Sequence, residues 1–388
     1  MRILFTFIGG HGHFIPLISI ARTAVAQGHT VAFGCGPSMV STVRDAGFAV
    51  FPLGSGSTTP PQRLPLRPLD SEREDREFRD RFARRGAQQR VPFTLALCRE
   101  WQPDLLICDE TDFGSMVAAE CLGLPYATVL VMAAGSFVRA AIVGEALAEL
   151  RAAHDLPPDP GLEMLSRYLV LSPFPPGFRD PAYPLPPTAH SFRPGIPEPA
   201  GDAAPAGLPD LATPPAVYVT LGTVFNMESG DLFSRVLAGV RDLPLDVVVT
   251  IGPHLDPAGF GPQPANVTIK RYIPQDLLLP HCSLIVSHAG SGSVSGALRY
   301  GLPSVLIPMG ADQPLNADRC RALGIARVLD PITATPGAVR TAVNAVLADP
   351  AHRRAAAQFR DEFAALPGPD YAIRLLERLA AAKAPLVT

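Results

Sequence analysis

Two histidines stand one residue apart in GGHGHFIP (9–16), where an apolar run gives way to glycines and a proline. Imidazole titrates near neutral pH, so a histidine held in such a turn suits removal of a proton from an alcohol, whose own pKa lies far higher. A buried carboxylate bonded to the far ring nitrogen would fix the tautomer and stabilise the imidazolium that forms. Asp109, in PDLLICDETDF, ends an apolar run and is placed for that role. Asp112 is the alternative, and either residue could instead cap a helix. His-x-His with no further clustered ligand is poor coordination chemistry, so no metal site is expected.

A second chemical stretch is SLIVSHAGSGSVSGALRYGLPSVLIP (283–308). An apolar strand runs into His288, then into small residues, and then into a helix. That turn leaves backbone N–H groups at a helix N-terminus, where partial positive charge favours a phosphate or diphosphate. There is no GxxxxGK[ST], and the glycine spacing is not that of the dinucleotide fingerprint. By itself the fragment is equally a Gly/Ser-rich turn with a structural histidine. It has company in RYIPQ (271–275) and in GADQPLNADRCRALGIARVL (310–329), where Asp312, Gln313 and Asn316 cluster. A carboxylate beside an amide suits sugar hydroxyls, although such a pair alone is ordinary capping chemistry.

The elements that must position these residues alternate in type. Strands are expected at Arg2–Ile8, Thr30–Cys35, Ala49–Leu53, Asp104–Cys108 and Tyr126–Val131, with helices at Pro16–Gln27, Ser38–Ala46 and Asp112–Leu122. Pro16 fits a first helical turn, and Gly28 and Gly47 fit helix ends. The segment 54–90 is Pro-rich and then densely charged (DSEREDREFRDRFARR), which reads as a loop and solvated helix or as a lid. Periodicity is lost over 155–215, and the domain boundary is placed there. Alternation then resumes with strands at Val217–Leu221, Asp246–Thr250, Val267–Lys270, Leu284–Ser287, Ser304–Ile307 and Arg327–Leu329. Helices follow at Ser229–Val240, Ser291–Tyr300, Pro314–Leu323 and Pro336–Ala348, with a helical remainder to about Ala382. The expectation is an α/β chain of two Rossmann-like domains, 1–200 and 216–388, joined by a linker at 201–215, with parallel sheets and a cleft between them. The last helix is a candidate to pack back on the first domain.

Composition limits the partners. The 388 residues are 47% hydrophobic and 18% charged with a net charge of −3, which speaks against nucleic acid and anionic membranes. Six scattered cysteines without a CxxC pair suit buried thiols in a reducing compartment, and no apolar stretch is long enough to span a bilayer. A cytoplasmic protein with small-molecule partners is expected, with a homodimer admissible.

The order Y-I-P-Q, L-L-P, S-H-A-G-S-G-S, G-L-P, I-P, A-D-Q, N-A resembles the nucleotide-sugar signature of the UDP-glucuronosyltransferase-like glycosyltransferases, in particular the antibiotic (macrolide-type) members with the GT-B fold. GHGHFIPL, QGHTVAF and YVTLGTVFN extend the resemblance over both halves. It implies an inverting, metal-independent enzyme that moves a hexose or deoxyhexose from a TDP- or UDP-sugar to a hydrophobic natural-product aglycone, with no cofactor beyond that co-substrate. Carried over by position, it implies His13 as general base, rather than His11, with Asp109 as its acidic partner. His288, Gly290, Ser291, Gly292 and Ser293 would hold the diphosphate, with Thr223 facing a phosphate. Asp312 and Gln313 would hold the sugar, and Tyr272, Ile273 and Gln275 would lie at the nucleobase. Two departures stand out: Tyr272 replaces a tryptophan common among relatives, and Ala289 follows His288 where plant relatives carry glycine. A lipid-linked sugar transferase, a nucleotide-sugar epimerase and a non-catalytic auxiliary protein are the competing readings. The first would want a basic, apolar patch that the alternating charges of 73–90 do not supply. The last would be free to lose His288, Asp312 and Gln313, which this chain keeps.

Overall fold

Each apolar run expected to be a strand pairs in a parallel sheet in the computed structural model, which describes residues 1–54, 62–195 and 216–388. The linker expected at 201–215 lies outside the described residues. The chain divides into two units: residues 1–54, 71–195 and 366–388 form the first, and residues 62–70 and 216–365 the second.

The first unit holds β1 (Arg2–Thr6), β2 (Thr30–Cys35), β3 (Ala49–Pro52), β4 (Leu105–Asp109), β5 (Tyr126–Val129), β6 (Leu169–Ser172) and β7 (Ala189–Ser191). They lie in the order β3-β2-β1-β4-β5-β6-β7. Ile3 sits opposite Val31 on one side and Leu105 on the other, so both neighbours of β1 are parallel to it. Strands covered on both faces bury every side chain, which is why they read as unbroken apolar runs. Ile3, Phe5, Phe33, Ile107 and Val129 share one core with Phe14, Leu17 and Ile20 of the helix His11–Ala26.

Two expectations need correcting here. The first helix begins at His11, not Pro16, so both histidines lie in its first turn and Pro16 lies inside it. The helix tolerates the proline at the cost of the bond that a residue-16 N–H would have given to the Gly12 carbonyl. The C-terminal stretch from 366, whose last helix was a candidate to pack back on the first domain, lies in the first unit. Ala372, Ile373, Leu376 and Leu379 of the helix Pro369–Ala382 join the first core, as does Leu386, whose N–H donates to Tyr168 O at 2.8 Å. Conversely, residues 62–70 belong to the second unit: Leu64 N–H donates to Met227 O at 2.7 Å, Arg63 to Gly230 O at 2.7 Å, and Leu66 packs on that unit's core. The charged stretch beyond is helical, with an α-helix Ser71–Phe78, a π-helical stretch Arg79–Gly86 and an α-helix Ala87–Trp101.

The second unit holds β8 (Ala216–Thr220), β9 (Asp246–Thr250), β10 (Val267–Lys270), β11 (Cys282–Ser287), β12 (Ser304–Leu306) and β13 (Ala326–Val328), in the order β10-β9-β8-β11-β12-β13. Its main core joins Val217, Val219, Val247, Leu284, Val286 and Val305 to Phe233, Val236 and Val339 of the covering helices. In both sheets the order reverses beside the first strand, between β1 and β4 and between β8 and β11. Ligands of open parallel sheets bind outside the carboxyl ends of strands at such switch points.

Candidate active site

The chain leaves β1 and turns through Gly9, whose φ is +105°. A Cβ there would lie 2.7 Å from His13 Cδ2, so the position needs glycine both for its backbone and for the imidazole beside it. His13, with its N–H on Gly10 O at 3.0 Å, presents Nδ1 to the end of β4. That nitrogen lies 3.4 Å from Asp109 Oδ2 and 3.3 Å from Thr111 Oγ1. Asp109 is fully buried, and three donors fix the plane of its carboxylate. Thr111 N–H and O–H each reach Oδ1 at 2.6 Å, and Ile8 N–H reaches Oδ2 at 2.8 Å. With Nδ1–H turned to this oxygen cluster, Nε2 is the ring nitrogen left to take a proton. One face of the imidazole stacks on Phe82 (5.9 Å between centroids, 21° between planes), and Phe82 continues through Phe78 to Phe137 at 5.2 Å and 4.6 Å. The imidazole thus sits against an aromatic wall.

Asp112 takes the structural role that capping chemistry allowed. It caps the helix Phe113–Cys121 by accepting from Ser115 N–H and O–H at 3.4 Å and 2.9 Å, and it meets Arg90 Nε at 3.3 Å with both side chains buried. Burial pushes its carboxyl upward, opposed by the Arg90 guanidinium. Glu110, on the chain next to Asp109, is also buried, and that burial pushes its carboxyl up to about 7. It accepts from Val131 N–H and Met132 N–H at 2.6 Å each and so ties down the turn after β5.

In the second unit, β8 leads into Gly222 (φ +77°) and β11 into His288. A Cβ on Gly222 would lie 2.5 Å from His288 Nε2, and one on Gly290 would also meet that ring, so two glycines make the slot for one imidazole. His288 is 8% exposed, and its Nδ1 has no hydrogen-bond partner. Burial lowers its pKa to about 4, against a backbone hydrogen bond to Thr220, so the ring is neutral at neutral pH. Ala289 takes a left-handed backbone (φ +64°), and Gly290 caps the helix Ser291–Tyr300 without a side chain. The first bond of that turn is Val294 N–H to Gly290 O, so the amides of Ser291, Gly292 and Ser293 lie ahead of the helical ladder.

Asp312 is brought to the same turn. Ser291 O–H donates to its Oδ2 at 2.6 Å, and Asn316 Nδ2 reaches that oxygen at 2.8 Å, Ser291 Oγ at 3.1 Å and Ala289 O at 3.0 Å. Gln313 is buried with Oε1 accepting from Met309 N–H at 2.8 Å, which leaves its amide nitrogen as the group to offer a ligand. Gln275 Nε2 reaches Ser293 Oγ at 3.5 Å. Ile273 is buried with Leu278 and Leu279, Tyr272 is 63% exposed, and Thr223 is half-buried in the turn after β8. Ser291, Asp312 and Asn316 therefore share one hydrogen-bond network, with His288 seated and Gln275 bonded to Ser293 at the same turn. Sequence reasoning assigned no role to Thr111, Arg90, Gly222 or Asn316. For Thr111 a signal existed, because Asp-x-Thr after a strand lets a hydroxyl bond back to the carboxylate.

Residues 234–379 match the family described as erythromycin biosynthesis protein CIII-like, C-terminal domain. The chain is 28% identical over 427 aligned positions to a 10-deoxymethynolide desosaminyltransferase of Streptomyces venezuelae, covering 98% of this chain and 97% of that one. It shares its fold with the crystal structure of the glycosyltransferase SnogD from Streptomyces nogalater, at TM-score 0.76 and 27% identity over 98% and 99% of the two chains. The chain is a glycosyltransferase with the GT-B fold, similar to enzymes of antibiotic biosynthesis. The transferase is also similar to the glycosyltransferase VinC, whose structure is a complex with dTDP, at TM-score 0.74 and 26% identity over 98% and 100% of the chains. Among the described residues, no group of three or more His, Cys, Asp and Glu side chains is set to hold a metal ion, and no helix is long and apolar enough to cross a membrane.

Proposed function

We propose that this transferase moves a hexose or deoxyhexose from a TDP- or UDP-linked donor to a hydroxyl of a hydrophobic natural-product aglycone, with inversion at the anomeric carbon. The observation that carries the reading is the pairing of His13 with the buried, triply bonded Asp109 at the β1/β4 switch point. His13 Nε2 takes the acceptor hydroxyl's proton as the oxygen attacks the anomeric carbon. The imidazolium so formed is stabilised by Asp109 through Nδ1–H. The new C–O bond forms as the bond from that carbon to the diphosphate breaks, and the electron pair leaves with the nucleotide. A single displacement of this kind inverts the centre.

Charge that grows on the leaving diphosphate needs donors already in place. The amides of residues 291–293, at the turn where His288 is seated, support that role. With its ring neutral and its one N–H turned to the Thr220 backbone, His288 would act there by its place beside these amides and adds no full positive charge. Asp312 and the amide nitrogen of Gln313 are the proposed partners of the sugar hydroxyls, while Ile273, Tyr272 and Gln275 would line the base and Thr223 a phosphate. The relative named for desosaminyl transfer and the dTDP in VinC support a thymidine-linked deoxysugar. The Phe82, Phe78 and Phe137 wall beside His13 supports an apolar acceptor. The test is incubation with TDP- and UDP-deoxyhexoses and polyketide aglycones, with products read by mass spectrometry and anomeric configuration by NMR. A glycoside of inverted configuration is expected. Retention, or donor epimerisation without an acceptor, would overturn the reading.

A further inference from the structure

We propose that Arg90 is a positioning residue for the catalytic pair, acting through the Phe7–Ile8 peptide; the proposal rests on the His13–Asp109 reading above. The carbonyl of Phe7 and the N–H of Ile8 are the two ends of one planar peptide group. Arg90 Nη2 donates to Phe7 O at 2.7 Å, and Ile8 N–H donates to Asp109 Oδ2 at 2.8 Å. A buried cation, a peptide dipole and the carboxylate that faces His13 therefore stand in one chain. Each bond polarises the next, and the cation makes Ile8 N–H a stronger donor than an isolated amide. Because the peptide is rigid, a rotation that loosens the Phe7 end also turns the Ile8 end away from Asp109.

The rest of the guanidinium holds that peptide against its surroundings. Nη1 donates to Leu53 O at 3.1 Å, just past β3, and Nε meets Asp112 at 3.3 Å, just past β4. One planar fork thus ties together the ends of three strands, a pre-organised geometry that a single ammonium does not reproduce. Asp112 alone is enough to neutralise the cation. The two carbonyl bonds go beyond charge balance, and the Phe7 one lies on the path to Asp109. The approach is built in: a Cβ on Gly114 would lie 2.6 Å from Arg90 Cβ and 2.5 Å from Ala87 O, so glycine lets the helix Ala87–Trp101 deliver Arg90 this deeply.

Arg90→Lys keeps a positive charge beside Asp112, and the double variant Arg90→Met/Asp112→Asn removes both charges so that no lone buried ion threatens the fold. Asp112→Asn alone is the control that leaves the Phe7 bond in place; because it keeps the buried cation without its partner, thermal unfolding must first confirm its fold. In Arg90→Lys and in the double variant, kcat should fall by about 30-fold or more while KM for the nucleotide sugar stays within about twofold, as expected when only the reacting geometry is lost. The control should keep kcat within about threefold. The 15N resonances of the His13 ring should report a fixed Nδ1–H tautomer in wild type and in the control, and an averaged one in the two Arg90 variants. That readout does not depend on turnover, so it stands even if His13 proves not to be the base, a question that His13→Ala answers separately. Near-wild-type kcat with an unchanged His13 signature in either folded Arg90 variant overturns the proposal.

Discussion

Asp109→Asn isolates the charge beside His13 while keeping the side chain's shape. At the 3.4 Å separation of the two side chains, an effective dielectric of about 20 gives roughly 5 kcal/mol between carboxylate and imidazolium. His13 is 19% exposed, and solvent screening reduces the figure to about 3–4 kcal/mol. At about 1.4 kcal/mol per tenfold, kcat should fall by about 10²- to 10³-fold. The amide also fits its socket poorly. Turned one way its NH2 meets Thr111 N–H, and turned the other way it meets Ile8 N–H. One donor is left unsatisfied, at about 1–3 kcal/mol of stability, which a domain of ordinary stability survives. The assay is steady-state transfer read by mass spectrometry, with KM for the nucleotide sugar measured separately and thermal unfolding confirming the fold. A folded Asp109→Asn enzyme with kcat within about threefold of wild type would refute the reasoning, because the charge would then contribute nothing to the transition state.

Two further outcomes follow from the same geometry. Gly9→Ala puts a methyl where His13 Cδ2 stands and demands a left-handed backbone of alanine; kcat should fall by at least about tenfold and the melting temperature should drop, whereas turnover equal to wild type would show that the ring is not held there. His288 makes stability depend on pH: the unfolded chain protonates near 6.5, the folded ring only near 4, so stability is full above 6.5 and is lost as pH falls to 4. That gap corresponds to roughly 3 kcal/mol, and urea unfolding at neutral and acidic pH should show it in wild type but not in His288→Gln; equal slopes in both would contradict the burial of a neutral imidazole.

The alternation of strands and helices was legible because strands buried on both faces are short apolar runs, of which Ala216–Thr220 and Asp246–Thr250 are examples. Boundaries were less so. Pro16 read as a helix start because prolines favour first turns, but the turn of glycines ahead of it permits the helix to begin at His11, and that shift lets His13 face Asp109. β6 and β7 went unseen because they are only four and three residues long and lie among prolines. The charged stretch read as a helix, but its packing was hidden, since arginines neutralised by acids distant in sequence, such as Arg84 beside Glu149 and Arg139 beside Asp75, look like a solvated face in one dimension. Of the site, the glycine-flanked histidines and the Asp-Gln pair carried visible spacing. Arg90 did not, because its partners Phe7, Leu53 and Asp112 offer two backbone carbonyls and one distant carboxylate, which leave no trace in the sequence around it.

In the proposed mechanism an imidazole in the first unit takes the proton, and the second unit holds the nucleotide. His13→Ala tests both halves in one protein, with calorimetric titration of TDP and transfer followed side by side. Nucleotide affinity should stay within about twofold while transfer falls by about 10³-fold or more. Transfer persisting within about tenfold of wild type would contradict the account, as would loss of nucleotide binding from a folded variant.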